Sequence, residues 1–228
     1  MPDEQKVAFD GVRYAWDMAD LARARLYADL MEMSLHRQGG EIKDDAFTRC
    51  LADTWSVIDN LWRLNLLLIR VPGLKRTPEV VLALKAIRQI EAFRHGFQHL
   101  DERVRQCAQQ HLPLLGVLSW LYFPEGSEVG WSYSLVPGAF RPGTAPGVNP
   151  VGKEMHSAID FVTVTAFGVS VDLTAVLRRA GTLIGGLDAG LRAAVGGEAG
   201  GGADFLFSVE CGPPASPASN EAEAAGSP

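Results

Sequence analysis

The sequence predicts a mainly α-helical protein, an up-and-down bundle of about four helices followed by a small strand-and-helix appendage. Three observations carry this reading. Apolar residues recur every three or four positions over most of residues 10–107, Gly and Pro cluster where that pattern breaks, and after Phe123 the texture turns to alternating and β-branched residues. The boundaries that follow are 8–123 for the bundle, 124–210 for the appendage, and 211–228 for a tail rich in Pro, Ala, Ser and Glu, a composition expected to be disordered.

From Asp10 to Arg37, Ala15, Met18, Ala22, Leu26, Leu30 and Met33 form one stripe of a long amphipathic helix, which Gly39 and Gly40 end. Asp44 or Asp45 then offers a capping carboxylate, and Phe47, Leu51, Trp55, Ile58 and Trp62 continue as a second long helix to about Ile69, before Pro72 and Gly73. Thr77, Pro78 and Glu79 read as N-cap, first-turn proline and first-turn acid of a third helix along Val80, Leu84 and Ile87. Its pattern runs on through Phe93, Phe97, Leu100, Val104 and Cys107, with a kink expected near Gly96. Leu114–Phe123, after Pro113, is the expected fourth helix, and short connections make the helices antiparallel neighbours. In the appendage, Trp131–Leu135 and Phe161–Val171 read as strands, Arg141–Lys153 as a loop and Leu173–Val195 as a helix. Gly196–Ala203 reads as a linker and Asp204–Glu210 as a last strand.

The chain has 228 residues, 47% hydrophobic and 21% charged, with a net charge of −6, which excludes collagen-like, wholly disordered and disulfide-scaffold classes. No apolar run reaches the roughly 18–20 residues of a membrane span, so no membrane association is expected. Met1–Lys6 lacks the basic-then-apolar order of a signal peptide, and Cys50, Cys107 and Cys211 show no CxxC spacing; both point to a reducing cytoplasm, with two core thiols and one in the tail. The net charge conceals a segregation. Residues 1–124 carry 16 basic and 16 acidic side chains, so the acidity belongs entirely to the remainder, and Arg63–Arg105 is locally +5. That basic segment keeps a polyanion admissible as partner, and the acidic C-terminal part is a candidate to fold over it.

The most informative stretch is Glu91–Arg103, EAFRHGFQHLDER, in which Arg94 is followed by four residues and then His99, with the polar His95 directly after the arginine. Placed late in a small bundle, this resembles the HEPN superfamily, whose signature is Arg, four to six residues, then His. The resemblance covers roughly residues 8–123. It implies metal-independent RNA cleavage or RNA binding of the toxin or defence kind, no cofactor, a homodimer whose two motifs face each other, and a possible protein partner or antitoxin. Arg94 would clamp the phosphoryl oxygens and His99 would act as general base or acid, since an imidazole near neutrality can take a 2′-hydroxyl proton or return one to the leaving oxygen. His95 would support the arginine and the substrate. Residues five apart on a regular helix lie about 140° apart, so dimerisation or a bend at Gly96 is needed to bring the pair around one phosphate.

Two other readings use the same residues. In one, the bundle is a noncatalytic dimerisation or protein-interaction module, with Arg94 paired to Glu91, Asp101 or Glu102. In the other, Glu91, His95 and His99, at i, i+4 and i+8, offer one face to a divalent metal ion. Trp16, Trp55, Trp62 and Trp120 fall in or beside apolar stripes and read as core or interface residues, and Asp53 and Asp59 flank the second stripe, facing solvent or basic residues of the third helix. Gly196–Gly202 lacks the Lys-Ser/Thr ending of a phosphate loop, and no serine lies in a GxSxG setting.

Overall fold

The structure, a computed structural model, describes residues 2–36, 45–138, 147–152 and 154–194. In chain order these form α1 (Asp3–Leu35), α2 (Ala46–Arg70), α3 (Pro78–Arg88), α4 (Glu91–Gln98), α5 (Leu100–Gln110), β1 (Val117–Tyr122), β2 (Trp131–Leu135), β3 (Ile159–Ala166), β4 (Val169–Asp172) and α6 (Leu173–Ala194). The protein is mainly helical with a small four-stranded antiparallel sheet of order β2-β1-β3-β4.

The first two stripes form the helices they predict, with Ala19, Ala22, Leu26 and Leu30 of α1 and Val57, Leu61, Leu64 and Leu68 of α2 wholly buried. Their direction is fixed by pairs whose numbers rise on one helix as they fall on the other: Gly11 faces Leu67, Arg25 pairs with Asp53 and Asp29 with Arg49, so α1 and α2 are antiparallel. Asp45 precedes α2 without capping it through its side chain, and pairs instead with Arg49. Thr77 does cap α3, accepting the Val80 amide at 3.4 Å, with Pro78 at the first helical position.

Beyond α3 the structure departs from the sequence pattern in three places. The long third helix is broken into α3, α4 and α5, at Gln89–Ile90 and at His99, whose backbone (φ −121°, ψ 43°) is not helical. Gly96 is not a kink: it is a close approach, since a Cβ there would lie 2.3 Å from the Phe167 ring.

The second departure is the expected fourth helix. Leu114–Phe123 instead contains β1, an interior strand hydrogen-bonded to β2 and β3, so the sheet's pairing crosses residue 123. A short apolar run bracketed by Pro113 and Pro124 fits a buried strand as well as a helix, and its Val, Trp and Tyr favour the strand. Third, Phe161–Val171 is not one strand but the hairpin β3–β4, turning at Phe167 (φ 54°) and Gly168 (φ 78°). Trp131–Leu135 and the helix from Leu173 form as expected. The expected linker 196–203, the strand Asp204–Glu210, the tail and, of the loop Arg141–Lys153, residues 141–146 and 153 lie outside the described residues.

Helices and sheet share one core. Leu118, Trp120 and Tyr122 of β1 and Val162 and Val164 of β3 pack in the same cluster as α1, α2 and α6. Trp120 and Tyr133, cross-strand partners with rings stacked at 5.3 Å, both reach α1: the indole N–H donates to Ser34 Oγ at 2.9 Å and the phenol to the Ser34 carbonyl at 3.1 Å. Tyr27 of α1 shares a 2.6 Å hydrogen bond with Thr174 of α6, and burial pushes its phenol up to about 12. Arg178 of α6 reaches Asp160, which is 1% exposed and also accepts the Phe161 amide at 2.7 Å.

Candidate functional site

The hairpin tip and α4 build the candidate site together. Phe167, held at positive φ by the β3–β4 turn, seats its ring against Gly96, 6.4 Å from Trp55 and 5.9 Å from the Arg103 guanidinium. Phe93 and Gly96 form the buried side of α4, which leaves His95, Phe97 and Gln98 exposed and Arg94 half-buried on its outer side. Phe97 stacks on Trp55 of α2 at 4.2 Å, fixing how α4 lies across α2.

Arg94 sits between two shallow depressions. One, of about 530 Å³, is walled by Trp62, Arg88, Glu91, Arg94 and His95; the other, of about 670 Å³, is walled by Leu51, Trp55, Asp59, Arg94 and Phe97. The guanidinium donates to Gln98 Oε1 at 2.8 Å, and its Nε faces Asp59 Oδ1 at 3.5 Å. Asp59 also pairs with Arg63, one turn further along α2. Glu91 is turned toward Arg88, at 3.3 Å. The carboxylate facing Arg94 therefore comes from α2 and not from the helix's own neighbourhood, and Asp53 is the partner of Arg25 of α1.

His99 lies at the joint between α4 and α5 and faces Glu102 at 3.5 Å, with 43% of its side chain exposed. Its amide donates to the Gly96 carbonyl at 3.3 Å, and its ring meets that of His95, four residues earlier, centroid to centroid 4.8 Å, at 53°. The structure thus brings His95 to Arg94 in one depression and to His99 in a ring contact, while Arg94 and His99 each have their own carboxylate. Glu91 is drawn off by Arg88, and among the described residues no group of three or more His, Cys, Asp or Glu is placed to hold a metal ion, so the Glu91–His95–His99 face does not form one.

Asp59 does face a basic residue of the expected third helix, Arg94, as its flanking position implied. Sequence reasoning missed Gln98 and Phe167 as parts of this site: Gln98, four residues after Arg94, could have been found from helical spacing, whereas Phe167 comes from an element whose packing no local pattern reveals. Cys50 and Cys107 are buried free thiols, and burial pushes Cys50 up to about 12, leaving it unreactive. No described helix is long and apolar enough to cross a membrane. No family model, curated protein or solved structure matches the chain.

Proposed function

We propose that the outer side of α4 and its joint with α5 binds RNA and cleaves it without a metal ion, through Arg94, His95 and His99, in a homodimer of the cytoplasmic toxin or defence type. The observation that supports this most is the exposed contact of two imidazoles, 4.8 Å apart, beside an arginine at the edge of two open depressions. In this reading one histidine takes the proton of a ribose 2′-hydroxyl as its oxygen attacks the adjacent phosphorus. The other returns a proton to the departing 5′-oxygen, leaving a 2′,3′-cyclic phosphate and a 5′-hydroxyl. Arg94, released from Asp59, holds the phosphoryl oxygens as charge builds.

A noncatalytic interaction module is the second reading, favoured by the contacts of Arg94 with Asp59 and of His99 with Glu102, which give each of the two a resident carboxylate. RNA cleavage in the presence of a chelator separates the two. The nuclease reading expects product from the native chain and a loss of about 100-fold or more in Arg94→Ala, His95→Ala and His99→Ala. Equal turnover in all four proteins, or no RNA retained even at low salt, would overturn it and leave the interaction module.

A further inference from the structure

A second concavity shares no lining residue with the two depressions beside Arg94. It is an open groove of about 1230 Å³ between the start of α1, the α2–α3 connection, α3 and the second half of α6. Its walls are chiefly apolar, with Phe9, Leu74, Leu82, Leu183, Leu187 and Leu191 along it, and Leu82 is 54% exposed. One wall is unusually low. Gly186 and Gly190, one turn apart on α6, would each meet nothing within 4 Å if given a Cβ, so a peptide backbone can approach the helix closely there. The rim is basic: Lys75 and Arg179 are exposed and have no ion-pair partner among the described residues, Arg178 is held by Asp160, and Glu79 is the acid among the described lining residues.

The chain itself carries a segment with matching chemistry. Leu191, on the groove wall, is about 4.5 Å of helix rise from Ala194, where α6 ends. Residues 195–203 follow, mostly Gly and Ala, with a reach of at most about 30 Å. Next comes Asp204-Phe-Leu-Phe-Ser-Val-Glu210, apolar in the middle and acidic at both ends. The groove offers apolar walls between cations, and the segment offers apolar side chains between anions. We propose that residues 204–210 of the same chain occupy this groove, so that the C-terminal part covers α3 and α6 intramolecularly. Tethering favours this occupant over a free one, because a short linker holds it at millimolar effective concentration.

The test uses the full chain and the thiol of Cys211, the residue next to the segment; Cys50 and Cys107 are buried and serve as silent background. The labelling rate of Cys211 and the fluorescence of an apolar dye, anilinonaphthalene sulfonate, are compared in the native chain, in Phe205→Asp/Phe207→Asp, and in Gly186→Gln/Gly190→Gln. The second variant fills the low wall while raising helix propensity, so the fold is kept. Both variants are expected to label at least fivefold faster than the native chain, and the first to bind several times more dye. Equal rates and equal dye binding in all three would overturn the proposal. So would native protection that disappears on dilution together with a dimer seen by light scattering, which would assign the groove to a second copy.

Discussion

Asp59 decides how available Arg94 is. It lies between Arg63 and Arg94, 40% exposed, and Arg94 must exchange it for a phosphate in the proposed reaction. Because the pair is partly solvated, its loss costs the fold little, within about 1 kcal/mol. Asp59→Asn is therefore expected to raise RNA affinity severalfold at low salt with little change in melting temperature, as read by filter binding across a salt series; an unchanged affinity would separate Arg94 from RNA. Tyr27 gives a second expectation at this scale. Its phenol is held neutral by burial and pushed up to about 12. An acid whose folded value lies above an unfolded value of about 10 contributes stability that is complete below pH ~10 and lost as pH rises toward ~12. Tyr27→Phe should lower the melting temperature at neutral pH, by about 1 kcal/mol of lost hydrogen bonding to Thr174, yet flatten its fall between pH ~10 and ~12. At the residue scale the sequence pattern singled out Arg94, His95 and His99 and turned Asp59 toward solvent or the basic residues of the third helix, but it did not match Asp59 to Arg94 in particular. The two are 35 positions apart, and nothing in the local spacing of either residue refers to the other.

Elements defined by long periodic stripes were legible: α1, α2, the Thr77 cap and the start of α6 follow from apolar spacing and punctuation alone. The third helix was not, because its stripe continues across both breaks. Ile90, Phe93 and Cys107 remain buried whether the backbone is straight or jointed, so periodicity could not show the turn at His99. The same degeneracy made β1 look helical, since all six of its residues are buried and no alternation survives. Gly96 offers the sharpest test of the jointed arrangement. Gly96→Ala favours helix by propensity yet drives a Cβ into the Phe167 ring, and overpacking of this kind costs about 1–3 kcal/mol. A lower denaturation midpoint is expected, with partial recovery in Gly96→Ala/Phe167→Leu; a stabilised Gly96→Ala would show that α4 and the hairpin tip are not in contact. Thr77→Ala, which removes a side-chain cap from α3, should cost about 1 kcal/mol.

Across the whole molecule, helices and sheet are bound by one apolar cluster and by the polar contacts of Ser34 and Thr174. Far-UV circular dichroism and tryptophan fluorescence should therefore report one coincident unfolding transition, and two separated midpoints would mean the halves fold independently. Trp120→Phe, which removes the indole donor to Ser34, is expected to move both signals together. The position of β1 bears on how the chain can be cut. The strand has neighbours on both sides, and one of them, β3, is supplied some 40 residues later. A fragment ending near Gly126 would keep α1–α5 with Arg94, His95 and His99 but lose α6 and Phe167 and strip β1 of both ladders, leaving Val-Leu-Ser-Trp-Leu-Tyr as a naked, uncharged β-segment. Such an edge recruits other copies of itself. During synthesis the same six residues leave the ribosome well before β3 does, so the nascent chain passes through an interval in which this apolar, uncharged strand awaits a mate.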